Sequence, residues 1–209
     1  MIRSAAIARI QQGLGFRTDL SDVIISALQE AQGEFERAQT LPWFLISEDQ
    51  TFTATALSPT VALPASFLRI VEEESPHFTT TGTTPTFLVK KPFDEALQYY
   101  LGVSNGRPQA YTLRSASISL WPTPDITYTL AWSYYKAGTA LTSDIENVWL
   151  LNVPYLLIAR AGLIVAADLE NETATKKFLA MYDKWNSWLF NAIADRDDQA
   201  MPRSIGRNH

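Results

Sequence analysis

Between Asn105 and Tyr135 hydrophobic and polar positions alternate in three successive runs. Asn105-Gly106 is a turn signal, because both residues tolerate positive φ, and Pro108 fixes an extended exit. From Gln109 to Arg114 the chain sends Ala110, Thr112 and Arg114 to one face and Gln109, Tyr111 and Leu113 to the other. After Ser115-Ala116 it sends Ile118 and Leu120 one way and Ser117, Ser119 and Trp121 the other. Pro122-Thr123-Pro124-Asp125 then removes backbone donors and stops the ladder. Thr127 to Tyr135 alternates once more, with Tyr128, Leu130, Trp132 and Tyr134 on one face. A period of two predicts three antiparallel strands in a meander.

On either side the period changes to that of a helix. Ser4 is placed to cap a short helix bearing Ile7, Ile10 and Leu14 and ending near Gly13 or Gly15. Asp19, with Asp22 three residues on, opens a longer one in which Leu20, Val23, Ala27, Leu28, Ala31, Phe35 and Ala38 recur, stopping before Pro42. Ser143-Asp144-Ile145-Glu146 reads as a capping box for a third stretch ending near Leu151. Asn152 is expected to cap a new helix that runs to Leu169, since Pro154 fits only at a helix start. The last stretch, from about Asn171 to Asp195, carries an apolar stripe of Phe178, Tyr182, Trp185, Trp188, Leu189, Ala192 and Ile193.

The stretch from Pro154 to Leu169 is apolar almost all round. A membrane span needs about 20 apolar residues, and Asn152, Pro154, Arg160 and Asp168 interrupt this run. A helix without a polar face is otherwise buried on every side. Neighbouring subunits could cover it, or it could be the central helix of a monomeric bundle. Ala159, Ala161, Gly162, Ala166 and Ala167 would admit close helix approach in either case.

Composition narrows the class. At 209 residues, with 46% hydrophobic and 19% charged, the chain can bury a substantial core. No basic segment followed by an apolar run opens it, so secretion is not expected. The absence of cysteine removes disulfides, thiolate catalysis and cysteine-ligated metals. Both point to the cytoplasm, or to a particle assembled there. The Asn171-Glu172-Thr173 sequon then reads as a helix N-cap.

Catalytic chemistry finds little to use. His77 and His209 are the two histidines, too few for a zinc cluster. No serine stands in a Gly-x-Ser-x-Gly context for a His77-based triad. Gly13-Leu14-Gly15 lacks both a preceding strand and a third glycine, which a nucleotide loop requires. Glu72-Glu73-Glu74 could supply the carboxylate pair of a peptidoglycan hydrolase. Alternation puts Glu72 and Glu74 more simply on a solvated edge. No cofactor is expected. The pair Lys90-Lys91 stands alone, and a net charge of -5 argues against a phosphate-binding face.

The strings Gly106-Arg107-Pro108, Tyr111-Thr112-Leu113, Ile118-Ser119-Leu120-Trp121-Pro122-Thr123-Pro124-Asp125 and Tyr128-Thr129-Leu130 with its Tyr134-Tyr135-Lys136 exit follow one another through the meander. Together they resemble the head-to-tail adaptor (tail accessory factor) family of tailed bacteriophages. Leu63-Pro64-Ala65-Ser66-Phe67-Leu68-Arg69-Ile70 resembles the family's strand entry, and Asn147-Val148-Trp149-Leu150-Leu151 with Pro154 its C-terminal half. Order and spacing carry the resemblance from about Asp19 to Trp188, apart from Phe78 to Tyr100.

The resemblance implies a non-enzymatic virion protein, a self-assembled dodecameric ring between the portal protein and the tail or nozzle proteins. Such a ring would contact passing DNA transiently and no membrane. It favours subunit contacts for the apolar helix. It also implies that the C-terminal arm docks on the portal through Met201, Pro202, Arg203, Ile205 and Arg207. The polar loop of Thr79, Thr80, Thr81, Gly82 and Thr83 would face the tail. A tail-completion or tail-tube ring shares this logic, whereas a cellular binding module would stay monomeric. The fold expected is α+β: a helical bundle built from residues 1–48 and 143–197, an antiparallel β insert at 49–142, and the arm at 198–209.

Overall fold

The computed structural model describes residues 1–71, 75–78, 86–145 and 147–200, the side chains of 197–200 excepted. Glu72, Glu73, Glu74, Glu146, the loop Thr79, Thr80, Thr81, Gly82 and Thr83, and the arm residues Met201, Pro202, Arg203, Ile205 and Arg207 lie outside the described residues, as does His209. Two compact units divide the chain, Ile46–Ala137 forming one and the flanking segments, Met1–Leu45 with Gly138–His209, the other.

The flanking segments correct the expected fold. The class is α+β, with six α-helices and two four-stranded sheets among the described residues, but the ends of the chain do not make a clear helical bundle. A bundle needs helices of similar length sharing one long seam. Here the helices are α1 (Arg3–Gly13), α2 (Ser21–Arg37), α4 (Val148–Asn152), α5 (Pro154–Asp168) and α6 (Glu172–Ala200), of very unequal length; α3 (Phe93–Tyr100) lies in the other unit. The others gather around α5, which packs on α1, α2, α4 and α6. This settles how the apolar helix is covered: Leu156, Leu157, Ile158, Ala159, Ala161, Gly162, Val165 and Ala166 are buried by the chain's own helices, without a neighbouring subunit.

Small residues set the spacing. Phe178 of α6 is 2% exposed. A Cβ on Gly162 would lie 2.5 Å from its ring, and one on Gly13 would lie 2.3 Å from it. Both glycines are therefore the space into which this ring fits. Glu170, at φ 52°, turns the chain sharply between α5 and α6, and Asn171 N–H donates back to the carbonyl of Ala166 at 2.9 Å. Asn171 then caps α6 by accepting from Ala174 N–H at 3.0 Å, as the sequon implied.

The other caps differ from expectation. Asn147, 1% exposed, caps α4 by accepting from the amides of Trp149 and Leu150; Ser143–Ile145 precede the helix as a bend. Ser4 receives a cap rather than giving one, its amide donating to Asp144 Oδ1 at 2.8 Å. Val153, not Asn152, is the N-cap position of α5, and Pro154 at the first helical position has no amide hydrogen to leave unpaired. Asp19 sits in a 3₁₀ turn, Thr18–Leu20, paired with Arg17.

The second unit holds two sheets over one core. The first runs β1 (Ile46–Ala54), β8 (Tyr128–Lys136), β3 (Phe67–Ile70), with β4 (His77–Phe78) also paired to β8. The second runs β2 (Thr60–Ala62), β7 (Ser117–Trp121), β6 (Ala110–Arg114), β5 (Val89–Lys90). The β6–β7 hairpin stands as its alternation predicts. The third run does not continue it: β8 belongs to the other sheet, where it pairs with β1 from Ile46↔Tyr135 to Ala54↔Tyr128. Pro122 and Pro124 offer no N–H for a further rung, so the chain leaves the hairpin between β7 and β8. Leu130 and Trp132 then meet Ile118, Leu120 and Tyr111 across the shared core. The insert is not wholly antiparallel either, since β5 runs parallel to β6 with α3 as the crossover.

Candidate functional site

The flanking unit encloses a cavity of about 520 Å³. Glu34 and Phe35 of α2, Trp149 of α4 and Arg160 of α5 form one side; Tyr182, Asn186, Leu189, Phe190 and Ile193 of α6 form another, with Thr40 and Pro42 between. Trp149, 1% exposed, is the floor. Phe35 stacks on it at 5.3 Å and Phe44 meets it edge-on at 5.2 Å.

A polar network fixes this indole. Glu36 Oε1 accepts from Trp149 Nε1 at 2.9 Å, from Gln32 Nε2 at 2.8 Å and from the amide of Gly138 at 2.8 Å. Asn147 Nδ2 donates to Gln32 Oε1 at 3.1 Å, which joins the network to the cap of α4. Because nearly every polar group there has a partner, burial costs little and the geometry is specified.

The charged edge of the cavity is a bidentate pair. Arg160 donates from Nε to Glu34 Oε2 at 2.5 Å and from Nη2 to Oε1 at 2.7 Å. Hydrogen bonds from Arg160 hold the Glu34 carboxyl below its ordinary range against the opposing effect of burial, and the same bonds raise Arg160. Both side chains are about one-third exposed. The cavity thus combines apolar walls with one already neutralised charge pair, a composition suited to holding an apolar group rather than to moving protons.

Arg160 was legible only as an interruption of an apolar run. Its partner lies 126 positions away. The available signal was physical: an arginine in an otherwise apolar helix needs a carboxylate within reach. The α6 stripe is partly redirected, since Trp188 is 46% exposed. Trp188 joins an aromatic run with Trp185 at 5.9 Å, which in turn stacks on Tyr155 at 5.3 Å.

The remaining candidates take structural places. The His77 ring lies tilted against Phe87, with centroids 5.3 Å apart. Gly13 closes α1, so the glycine pair ends a helix instead of following a strand. Lys91 pairs with Glu95 and lies over Tyr99, which separates it in role from Lys90 on β5. Among the described residues no group of three or more His, Cys, Asp or Glu is placed to hold a metal, and no helix is long and apolar enough to cross a membrane.

Comparison with known proteins decides the family. The family model described as SU10 adaptor protein matches residues 1–207. The chain belongs to this adaptor family. The match takes in both units, including the stretch from Phe78 to Tyr100 that the resemblance left aside. No curated protein matches the chain. Membership makes this a phage adaptor, a structural protein of the virion whose partners are other head and tail components.

Proposed function

We propose that copies of this adaptor close into a ring, dodecameric, below the portal protein, dock the tail or nozzle proteins and continue the DNA channel. The observation that carries this reading is the family match over residues 1–207. Apolar side chains on the surface support it. In the β-rich unit Tyr99 is 69% and Leu101 77% exposed, and in the helical unit Leu151 is 57% exposed, surfaces that subunit contacts would cover. A net charge of -5 suits a channel, because a wall without a basic face forms few phosphate contacts and lets the duplex slide. The arm residues Met201, Pro202, Arg203, Ile205 and Arg207 dock on the portal, and Thr79 to Thr83 face the tail. Assembly, not a catalysed reaction, is the mechanism, with ordering of the arm part of its free-energy balance.

Mixing purified adaptor with portal rings and imaging the product by cryo-electron microscopy tests the reading. A ring of adaptor copies on the portal is expected, and a chain lacking the residues after Gln199 should fail to join it. Adaptor that stays monomeric beside saturating portal defeats the ring, and unchanged portal binding by the truncated chain defeats the arm.

A further inference from the structure

Phe16 stands in water on a strained backbone. It follows Gly15 at the end of α1, with φ 82° at the glycine and 63° at Phe16 itself, a left-handed value that is an outlier for so bulky a residue. Gly15 N–H donates to the carbonyl of Gln12 at 3.4 Å and Phe16 N–H to that of Gln11 at 2.7 Å, the pairing of a Schellman motif. In that motif the apolar residue after the glycine ordinarily packs back on the last turn of the helix. Here the residue it would meet is Gln11, and the ring stays 72% exposed.

The same helical unit carries the cavity of about 520 Å³, walled by Phe35, Trp149, Leu189, Phe190 and Ile193 and within the size range of binding pockets. Aromatic walls suit an aromatic ring, which gains edge and face contacts beyond its buried area. The ring of the same chain does not reach it. Gly13 packs on Phe178, and Leu189 and Ile193 lie eleven and fifteen residues further along α6, about 17 and 22 Å at 1.5 Å per residue. Three residues past Gly13, Phe16 extends at most about 10 Å, and its amide is turned back to Gln11.

Charge agrees with a second copy as the source. Residues 1–18 carry Arg3, Arg9 and Arg17 and no acid. Arg17 is held by Asp19, but among the described residues Arg9 has no carboxylate partner. At the cavity, α2 brings Glu30, Glu34 and Glu36 against Arg37, and α5 adds Arg160, while Asp183 and Asp195 of α6 balance Lys184 and Arg196. Glu30, one turn before Glu34, has no ion-pair partner among the described residues. A basic segment around the ring thus meets a rim with a carboxylate in excess.

We infer that Phe16 of one copy inserts into the cavity beside Glu34 and Arg160 of a second copy, so that each copy gives one ring and receives one. Knob and hole are different surfaces, so the contact is head-to-tail and repeats from copy to copy. Closure of that series rests on the ring reading above; the pairwise contact does not. The left-handed backbone holds the ring outward before a partner arrives, which lowers the ordering cost of contact. Size sets the strength. An aromatic side chain buries about 150–250 Å², against about 800 Å² per partner in a standard interface. Two free copies therefore hold each other weakly, and the contact counts in a closed ring, where every copy makes it twice.

The test uses the full chain alone at about 1 mM, where a weak contact is populated. The photoreactive aromatic p-benzoylphenylalanine stands in place of Phe16, and isotopically light and heavy protein are mixed in equal parts. Illumination should join light chains to heavy ones, with the adducts on residues 34–42 or 182–193. Adducts elsewhere, adducts within one chain only, or none at all overturn the inference. Phe16→Gly supplies a readout that a merely structural residue would not move. Glycine relieves the left-handed backbone, so this variant should unfold at higher urea than the parent, while its self-association in sedimentation equilibrium falls about tenfold or more. Unchanged self-association overturns the inference. Rings on the portal are scored separately with the parent chain: their absence defeats the ring reading and leaves the pairwise contact standing, and missing adducts defeat the contact and leave the ring.

Discussion

The ring of Phe178 occupies the space a Cβ on Gly162 would need, its nearest carbon 2.5 Å from that position. Glycine inside a helix ordinarily costs up to about 1 kcal/mol relative to alanine, so Gly162→Ala would stabilise an isolated α5. Here the sign reverses. The methyl must push Phe178 out of its slot, and overpacking of this kind costs about 1–3 kcal/mol. Urea unfolding should show Gly162→Ala less stable than the parent, with much of the loss recovered in Gly162→Ala combined with Phe178→Leu. Additive effects of the two changes would show that the pair is not coupled.

The Glu34–Arg160 pair makes stability depend on acid. Glu34 titrates below its ordinary value of about 4.3 when folded. Its contribution is therefore fully present above that unfolded value and is lost as pH falls through the lower folded one. With both side chains one-third exposed, solvent screening limits the pair to about 1 kcal/mol. Glu34→Gln should be less stable than the parent at about pH 6, with the gap narrowing as pH falls below the carboxylate's unfolded value and through its lower folded one. A gap that persists unchanged at low pH would mean the carboxylate contributes by packing alone.

Capping offers a comparison between two neighbouring residues. Asn147 is buried and satisfies two amides of α4 while holding Gln32, so Asn147→Ala should cost about 2 kcal/mol. Ser143, exposed and ahead of the helix, should cost less than about 0.5 kcal/mol when changed to alanine. Chemical denaturation of the two variants side by side decides it, and a reversed order would restore the capping-box assignment.

Signals carried by nearest neighbours are legible in the chain, and those that depend on tertiary packing are not. The turn at Ser115-Ala116, the Asn171 cap and the end of α2 before Pro42 follow from nearest neighbours, and the structure has all three. The alternation of Thr127–Tyr135 identified a strand but could not say which sheet it joins, because period two specifies faces and not partners. Val23 shows a similar limit: it keeps helical spacing with Ala27 yet is 44% exposed, while Ile24 is fully buried. The cavity was not legible at all. Its charged edge joins residues on two helices that the whole β-rich unit separates in sequence, and only the packing of α2 on α5 brings Glu34 to Arg160.

The discontinuous helical unit has a consequence for synthesis. When α2 leaves the ribosome it has only α1 to pack on, and its buried face of Ile24, Leu28 and Ala31 lacks its main partner until α5 follows, after about ninety residues of the other unit. At bacterial translation rates that wait is on the order of ten seconds. The intervening unit shortens the search rather than prolonging it. Because β1 pairs with β8 from Ile46↔Tyr135 onward, its folding brings the two ends of the insertion side by side. A long loop becomes a short staple, most of the closure entropy is lost before the helices meet, and α5 emerges next to the surface that has been waiting for it.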